Sequence, residues 1–396
     1  MSAEWKQVRL DELTEAGSPI TYGVVKPGDT GDVLFIRGGD LLGGRVLDGQ
    51  LRTITRAVSE QYRRTLLRGG ELLICLVGQP GQVAVAPPAL SGANIARQVG
   101  LIRLRSEINS EFISYFLQSP DGQANLGTYT GGSVQQVINL SDLRTVNVPV
   151  PPLAEQQRIV GILDEAFAGL ATAKAKAEKN LQNSRALFES HLQSVFTQRG
   201  NGWVEKRLEQ IGKTQTGSTP KTSDQANYGE FISFVKPADF NADGSLDYER
   251  DGLSEKGLAS ARIVPEGSVL MVCIGATIGK CGYCDHDVTT NQQINALTPT
   301  DGSSHRFLYY QMLTEGFQRS VIHRSGQATL PIINKSNWSA LPVWLPPTVA
   351  EQKRIAAKFD ALVAETQRLA RLYERKLAAL EALKKSLLHQ AFTGKL

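Results

Sequence analysis

The nearest thing to a metal-ligand cluster in this chain is Cys281 and Cys284, a C-x-x-C pair with His286 two positions beyond. A closed zinc site takes four ligands, and no second pair stands at ligand spacing; the flanks, MVCIGATIGKCGYC, read as a strand and its turn. Structural cysteines and no metal are the expectation. GATIGKC (Gly275–Cys281) also falls short of a phosphate loop, with one residue too few between its glycines and a cysteine where Ser or Thr is needed. The five histidines are scattered, and neither H-E-x-x-H nor G-x-S-x-G occurs. No acid, base or nucleophile stands out, so a chain with no catalytic residues and no cofactor of its own is expected.

Side chains suited to base edges and phosphates are plentiful instead. In residues 1–150, 12 of the 14 basic residues are arginine, whose planar fork matches guanine or a phosphate at two points. Arg37 and Lys236 follow similar apolar segments; Gln79, Gln82 and Lys280 follow another pair; Arg97 answers Asn291 and Gln292. The glycine-rich loops TYTGGSVQQ and HRSGQATL contribute Gln135, Arg324 and Gln327. Arginine and the amides are the expected base readers and lysine the phosphate contact. Any one such loop is an ordinary turn composition. Their pairing along the chain is what carries weight.

The elements that must position these residues come in two sets. ELLICLVG and GSVLMVCIG are short glycine-bounded apolar runs, and VLFIRGGDLLGG matches FISFVKPADFNADG as strand, basic residue and turn. EFISYFLQS and HRFLYYQMLTEGF read as one short amphipathic helix per set. The expected domains are therefore 1–150 and 201–345, each a mixed sheet with many loops. The loops themselves hardly resemble each other.

Between and after these domains, at 151–200 and 346–396, the chain writes PPLAEQQRI and then PPTVAEQKRI. Ala154–Thr197 lies over Ala350–Thr393 at a constant offset of 196 without a gap, with 15 of 44 positions identical. This is a duplication. A four-three spacing of apolar positions (Ile355, Phe359, Leu362, Thr366, Leu369, Tyr373, Lys376, Leu380) predicts a heptad seam, as does the alanine-rich first copy. Asn180 and Lys376 occupy matching seam positions, where a polar group would fix alignment. Two long helices pairing antiparallel are predicted. The net charge of +4 lies in these two stretches, while the domains are near neutral, so charge alone makes no case for DNA.

The twice-written P-P-x(1–2)-A-E-Q-[QK]-R-I, each opening a heptad helix, with a closing L-x-x-x-F-T at Leu192–Thr197 and Leu388–Thr393, resembles the specificity subunit of type I restriction-modification systems. TYGVVKPG (Thr21–Gly28) is similar to the start of a target recognition domain in that family. The resemblance implies an α+β fold of two mixed α/β recognition domains separated by two long helices in an antiparallel coiled coil, with a pseudo-two-fold repeat. It implies a non-catalytic subunit whose domains each read one half of a split DNA target. Its partners would be two methylation subunits and two restriction subunits, carrying S-adenosylmethionine, ATP and Mg²⁺. Glu155, Gln156, Arg158, Glu351, Gln352 and Arg354, at the helix roots, are the expected docking residues, although E-Q beside a proline pair is equally a helix start. Unlike loops on one frame imply an asymmetric target, with an unread spacer of about half a helical turn to a full turn.

Two other readings compete, a DNA-independent coiled-coil scaffold with two ligand-binding domains and an enzyme with an unfamiliar site in its loops. The four cysteines make no disulfide framework and fit a reducing compartment. With no long apolar run and no leader at Met1, the expectation is a cytoplasmic protein.

Overall fold

The computed structural model describes residues 5–47, 49, 51–127, 137–326 and 330–396. The chain forms two compact units, Met1–Ala177 with Arg375–Leu396, and Glu178–Glu374. Each is built on the same plan.

In the first unit the run predicted from ELLICLVG is the strand Leu72–Cys75, inside a four-stranded antiparallel sheet with Thr21–Tyr22, Val99–Ile102 and Val83–Val85. Successive strand residues point to opposite faces. Leu72 and Ile74 accordingly enter one core with Phe112, Phe116 and Ile159, while Leu73 and Cys75 enter a second with Ile36 and Ile95. A strand covered on both faces reads as unbroken apolar sequence, which is why no alternation is visible there. The second core lies against Arg52–Ile54, Val33–Ile36 and Asn94–Ile95, where Val33–Ile36 pairs antiparallel with the first and parallel with the last.

The second unit repeats this with Gly212–Thr216, Ile294–Pro299, Val269–Val272 and Cys281–Tyr283 in one sheet. The other sheet holds Gly252–Leu253, Tyr228–Val235, Val288–Thr290 and an added edge strand, Ile263–Val264. Its parallel pair, Phe234↔Thr289 and Val235↔Thr290, matches Phe35↔Asn94 and Ile36↔Ile95. In both units a two-stranded ribbon, Lys6–Arg9 with Asn147–Val150 or Val204–Arg207 with Pro342–Leu345, ties an opening W-x-x-x-x-L segment (Trp5–Leu10, Trp203–Leu208) to the strand that enters the next long helix.

The long helices are Leu153–Gln198 and Val349–Phe392. In the first unit Ile159, Val160 and Leu163 pack with Leu388 and Ala391. In the second, Leu192 and Phe196 pack with Ile355, Ala356 and Phe359. The start of one helix meets the end of the other in each case, so the pairing is antiparallel. Lys174 pairs with Glu381 at 2.8 Å and Arg185 with Glu374 at 3.2 Å, on exposed flanks where such pairs contribute little.

The seam differs from the heptad expectation at one place in each helix. Asn180 and Lys376 are exposed, and their neighbours Leu181 and Leu377 turn inward instead. Beyond them Leu187 and Leu383 are 51% and 46% exposed, while Phe188 and Lys384 are half-buried. An α-helix turns every ~3.6 residues and drifts ~20° per heptad against a strict seven-residue repeat, so the inward direction moves on by one residue. The buried polar residues of the seam are Ser184 and Thr366, whose hydroxyls donate to Leu181 O (2.8 Å) and Leu362 O (2.9 Å) of their own helices. They satisfy themselves within their helix and need no partner across the seam.

Candidate nucleic-acid interface

The parallel strand pair in each unit ends on the residues expected to read bases. In the first unit the N–H of Ala96 donates to Ile36 O at 2.8 Å, that of Arg97 to Val24 O at 2.9 Å, and that of Leu76 to Gln98 O at 2.7 Å. Arg97 therefore leaves a backbone bonded on both sides. Arg37 follows the neighbouring strand; Asp40 accepts its backbone N–H at 2.7 Å and its guanidinium through Nε at 3.2 Å and Nη2 at 2.9 Å. Arg52, opposite Phe35 across the antiparallel pair, completes a cleft of about 550 Å³ lined also by Thr30, Arg97 and Gln98. Three arginines thus line one cleft, and Asp40 holds the first of them.

The second unit keeps the frame and changes the side chains. Asn291 N–H donates to Val235 O at 3.2 Å and Cys273 N–H to Gln293 O at 2.7 Å, which equates Asn291 with Ala96, Gln292 with Arg97 and Gln293 with Gln98. Lys236 answers Arg37, and Asp239 accepts its backbone N–H at 2.7 Å as Asp40 does for Arg37. Phe234 N–H donates to Asp251 O at 2.8 Å, so Asp251 stands where Arg52 does, and its carboxylate holds Lys236 Nζ at 2.8 Å. Burial pushes the Asp239 carboxyl up, while the Lys236 N–H it accepts and nearby Arg250 pull the other way. Asn291 is buried, bonded to Gln293; Gln292 is exposed and accepts from the Thr219 hydroxyl. Lys236 here pairs with Asp251, and Arg250 with Asp239 and Asp247.

The turn after each central strand is repeated too. Gly81 N–H donates to Cys75 O in the first unit and Gly279 N–H to Val272 O in the second, which places Gln82 opposite Lys280. Gln123 donates to Gly81 O at 3.1 Å and Gln318 to Gly279 O at 2.9 Å, the same clamp from the same helix. Gln79 is exposed on its turn, and Lys280 Nζ reaches Pro237 O at 3.5 Å, which joins it to the Lys236 group. Arg324 ends the helix Glu315–Arg324 and donates to Ala340 O at 3.2 Å, a tie to its own fold. Gln135 and Gln327 lie outside the described residues.

The family model described as type I restriction modification DNA specificity domain matches residues 2–182 and again 200–375. The chain belongs to that family. It is 29% identical over 196 residues to the EcoBI specificity subunit of Escherichia coli (49% of this chain, 41% of that one) and 26% identical over 235 to the HindI specificity subunit of Haemophilus influenzae (56% and 51%). The matched stretches thus span about half the length of these relatives or less. The HsdS subunit of Thermoanaerobacter tengcongensis shares the fold at TM-score 0.66 and 21% identity, over 100% of this chain and 98% of that one. A chain from work on the assembly and conformational transition of the type I R-M system does so at 0.77 and 20%, over 100% and 99%.

The helix roots of this specificity-domain chain correct part of the docking expectation. Gln156 and Gln352 are 1% and 3% exposed. Their Oε1 atoms accept the N–H of Asn109 and of Ser304, both at 2.8 Å, and Gln156 donates to Pro151 O at 2.9 Å. They lock each long helix to the start of its domain's short helix and have no surface to offer a partner. At the roots Arg158 and Arg354 are exposed and pair with the half-buried Glu155 (2.8 Å) and Glu351 (3.9 Å). The Arg158 guanidinium holds the Glu155 carboxyl below its usual range. Each pair rims a cleft, one of about 430 Å³ floored by Trp5, Ile159 and Phe392, the other of about 290 Å³ floored by Trp203, Ile355 and Phe359. About two turns further along each helix, Tyr115 donates to Asp164 and Tyr310 to Asp360, a second tie that the sequence reading missed.

The cysteines are structural by placement. Cys281 and Cys284 enter different cores on the two faces of their sheet and bond different carbonyls, Gly279 O and Pro265 O. Burial pushes the thiols up, Cys273 to about 12 and Cys284 to about 11, away from the thiolate a metal binds. Among the described residues no group of three His, Cys, Asp or Glu is placed to hold a metal, and no helix is long and apolar enough to cross a membrane.

Proposed function

We propose that each unit reads one half of an asymmetric, split duplex DNA target through its strand-end site, and that the paired helices set the gap and dock partner subunits. The observation that carries this is a shared backbone frame with unlike side chains, Arg52 against Asp251 and Arg97 against Gln292. A reader of two different half-sites needs a constant scaffold and variable donors and acceptors. Base contacts are assigned to Arg37, Gln79, Gln82, Arg97, Gln292 and Arg324, and phosphate contacts to Arg52, Lys236 and Lys280. Asn291, buried and bonded to Gln293, supports the strand-end turn and does not touch a base itself; Gln135 and Gln327 are kept as loop contacts on sequence grounds.

The chain acts without catalysis of its own in this reading. Two methylation subunits bring S-adenosylmethionine and flip the target base. Two restriction subunits bring ATP and Mg²⁺. The exposed Arg158 and Arg354, with the half-buried Glu155 and Glu351, rim equivalent clefts and are the docking residues that remain. The test is methylome sequencing of cells expressing the chain with its methylation subunit. One bipartite motif with unlike halves is expected. No such motif, together with duplex binding no tighter to any sequence than to random DNA across a salt series, would leave the scaffold reading in its place.

A further inference from the structure

Among the residues at the strand-end sites, Arg37, Lys236 and Asn291 have their polar atoms committed, while Arg52 has no side-chain bond to a described residue. Arg37 gives two nitrogens of its fork to Asp40, Lys236 is paired with Asp251, and Asn291 is buried. Arg97 and Gln292 stand apart. Both are exposed, both leave the last turn of a strand held by main-chain bonds on either side, and they occupy the same position of the repeat. Arg97 makes no ion pair or side-chain hydrogen bond among the described residues, and it opens into the cleft shared with Arg37 and Arg52. Gln292 accepts from Thr219 through one lone pair of Oε1, which orients its amide and leaves the second lone pair and Nε2 for a base edge.

Rigid display with free polar atoms is what two-point base recognition requires, because a side chain on a mobile loop loses the angular definition that separates one base edge from another. An arginine fork matches the O6 and N7 acceptors of guanine; a glutamine amide matches the N6 donor and N7 acceptor of adenine. We infer that position 97 and its counterpart 292 are specificity-determining, Arg97 for a guanine in the half-site of the first unit and Gln292 for an adenine in that of the second. Arg52 and Lys236 beside them hold phosphates, and Asp40 and Asp239 orient the strand-end turns. This inference rests on the proposed DNA reading and adds to it which residue reads which purine.

The test uses the full chain in complex with its methylation subunits and a panel of duplexes that change each base pair of the wild-type motif in turn. Arg97→Gln and Arg97→Lys should both lose about tenfold or more of the preference for one and the same G·C pair in one half-site, with every other position unchanged. Lysine keeps the charge but not the fork, so its loss separates base reading from phosphate attraction. Gln292→Arg should lose preference at one A·T pair of the other half-site. Unchanged preferences, or a weakening equal at every position, would overturn the inference while leaving a bipartite wild-type motif intact. If the wild-type complex shows no motif, it is the DNA reading itself that fails.

Discussion

At the scale of the residue, the sharpest consequence belongs to the buried glutamines. Gln352 satisfies the Ser304 N–H, which starts the helix His305–Met312, and is 3% exposed. Gln352→Ala leaves that buried N–H without an acceptor and should cost about 1–3 kcal/mol, read as a lower urea midpoint for the full chain. Glu351→Ala on the solvent side of the same turn breaks a pair 3.9 Å long and should change the midpoint little. If the glutamine variant unfolds like the parent, the root lock is not where that helix is held. The residue scale also shows where sequence reading stops. Arg37 and Lys236 were matched because each directly follows an apolar strand, a local signal. The pairing of Arg52 with Asp251 depends on which residue lies opposite Phe35 and Phe234 across a strand pair, and no pattern within either segment specifies that register.

At the scale of the element, the antiparallel long helices were legible to within a few residues from their duplicated text and proline-pair starts, whereas the seam was legible only up to the drift. Leu181 and Leu377 are identical under the 196-residue offset yet fell one place outside a strict heptad. Leu377→Asn should therefore destabilise by about 1–3 kcal/mol, while Lys376→Leu stays within about 0.5 kcal/mol, both followed by thermal or urea unfolding. The reverse ranking would restore the heptad and remove the drift. The central strands were found because burial on both faces makes them apolar throughout, and the paired turns because glycine marks them. At Gly78 and Gly275, with φ of 98° and 101°, that residue is required. The edge strand Ile263–Val264 has no counterpart among the described residues of the first unit and left no signal in the repeat.

At the scale of the whole molecule, each unit combines a sheet domain with the start of one long helix and the end of the other. The first unit is closed by Arg375–Leu396: Phe392 packs its ring at 5.2 Å from Phe112 and 5.3 Å from Phe116, and Leu388 and Ala391 are buried in the same core. A chain ending at Glu374 keeps every residue of the second unit and removes part of the first core. It should show one cooperative transition at the parental temperature and a second, early one, with hydrogen exchange assigning the early loss to residues around Phe112 and Phe116. Equal protection of both units in the truncated chain would show that the closing segment is dispensable.

That discontinuity also has a temporal side. A ribosome delivers Glu178–Glu374 in one uninterrupted length, so the second unit can mature while synthesis is still under way. The first, although its strands emerge earlier, must wait with part of its apolar interior uncovered until Arg375–Leu396 has been made, and an arrest of translation just past Glu374 would strand the older half of the protein rather than the younger.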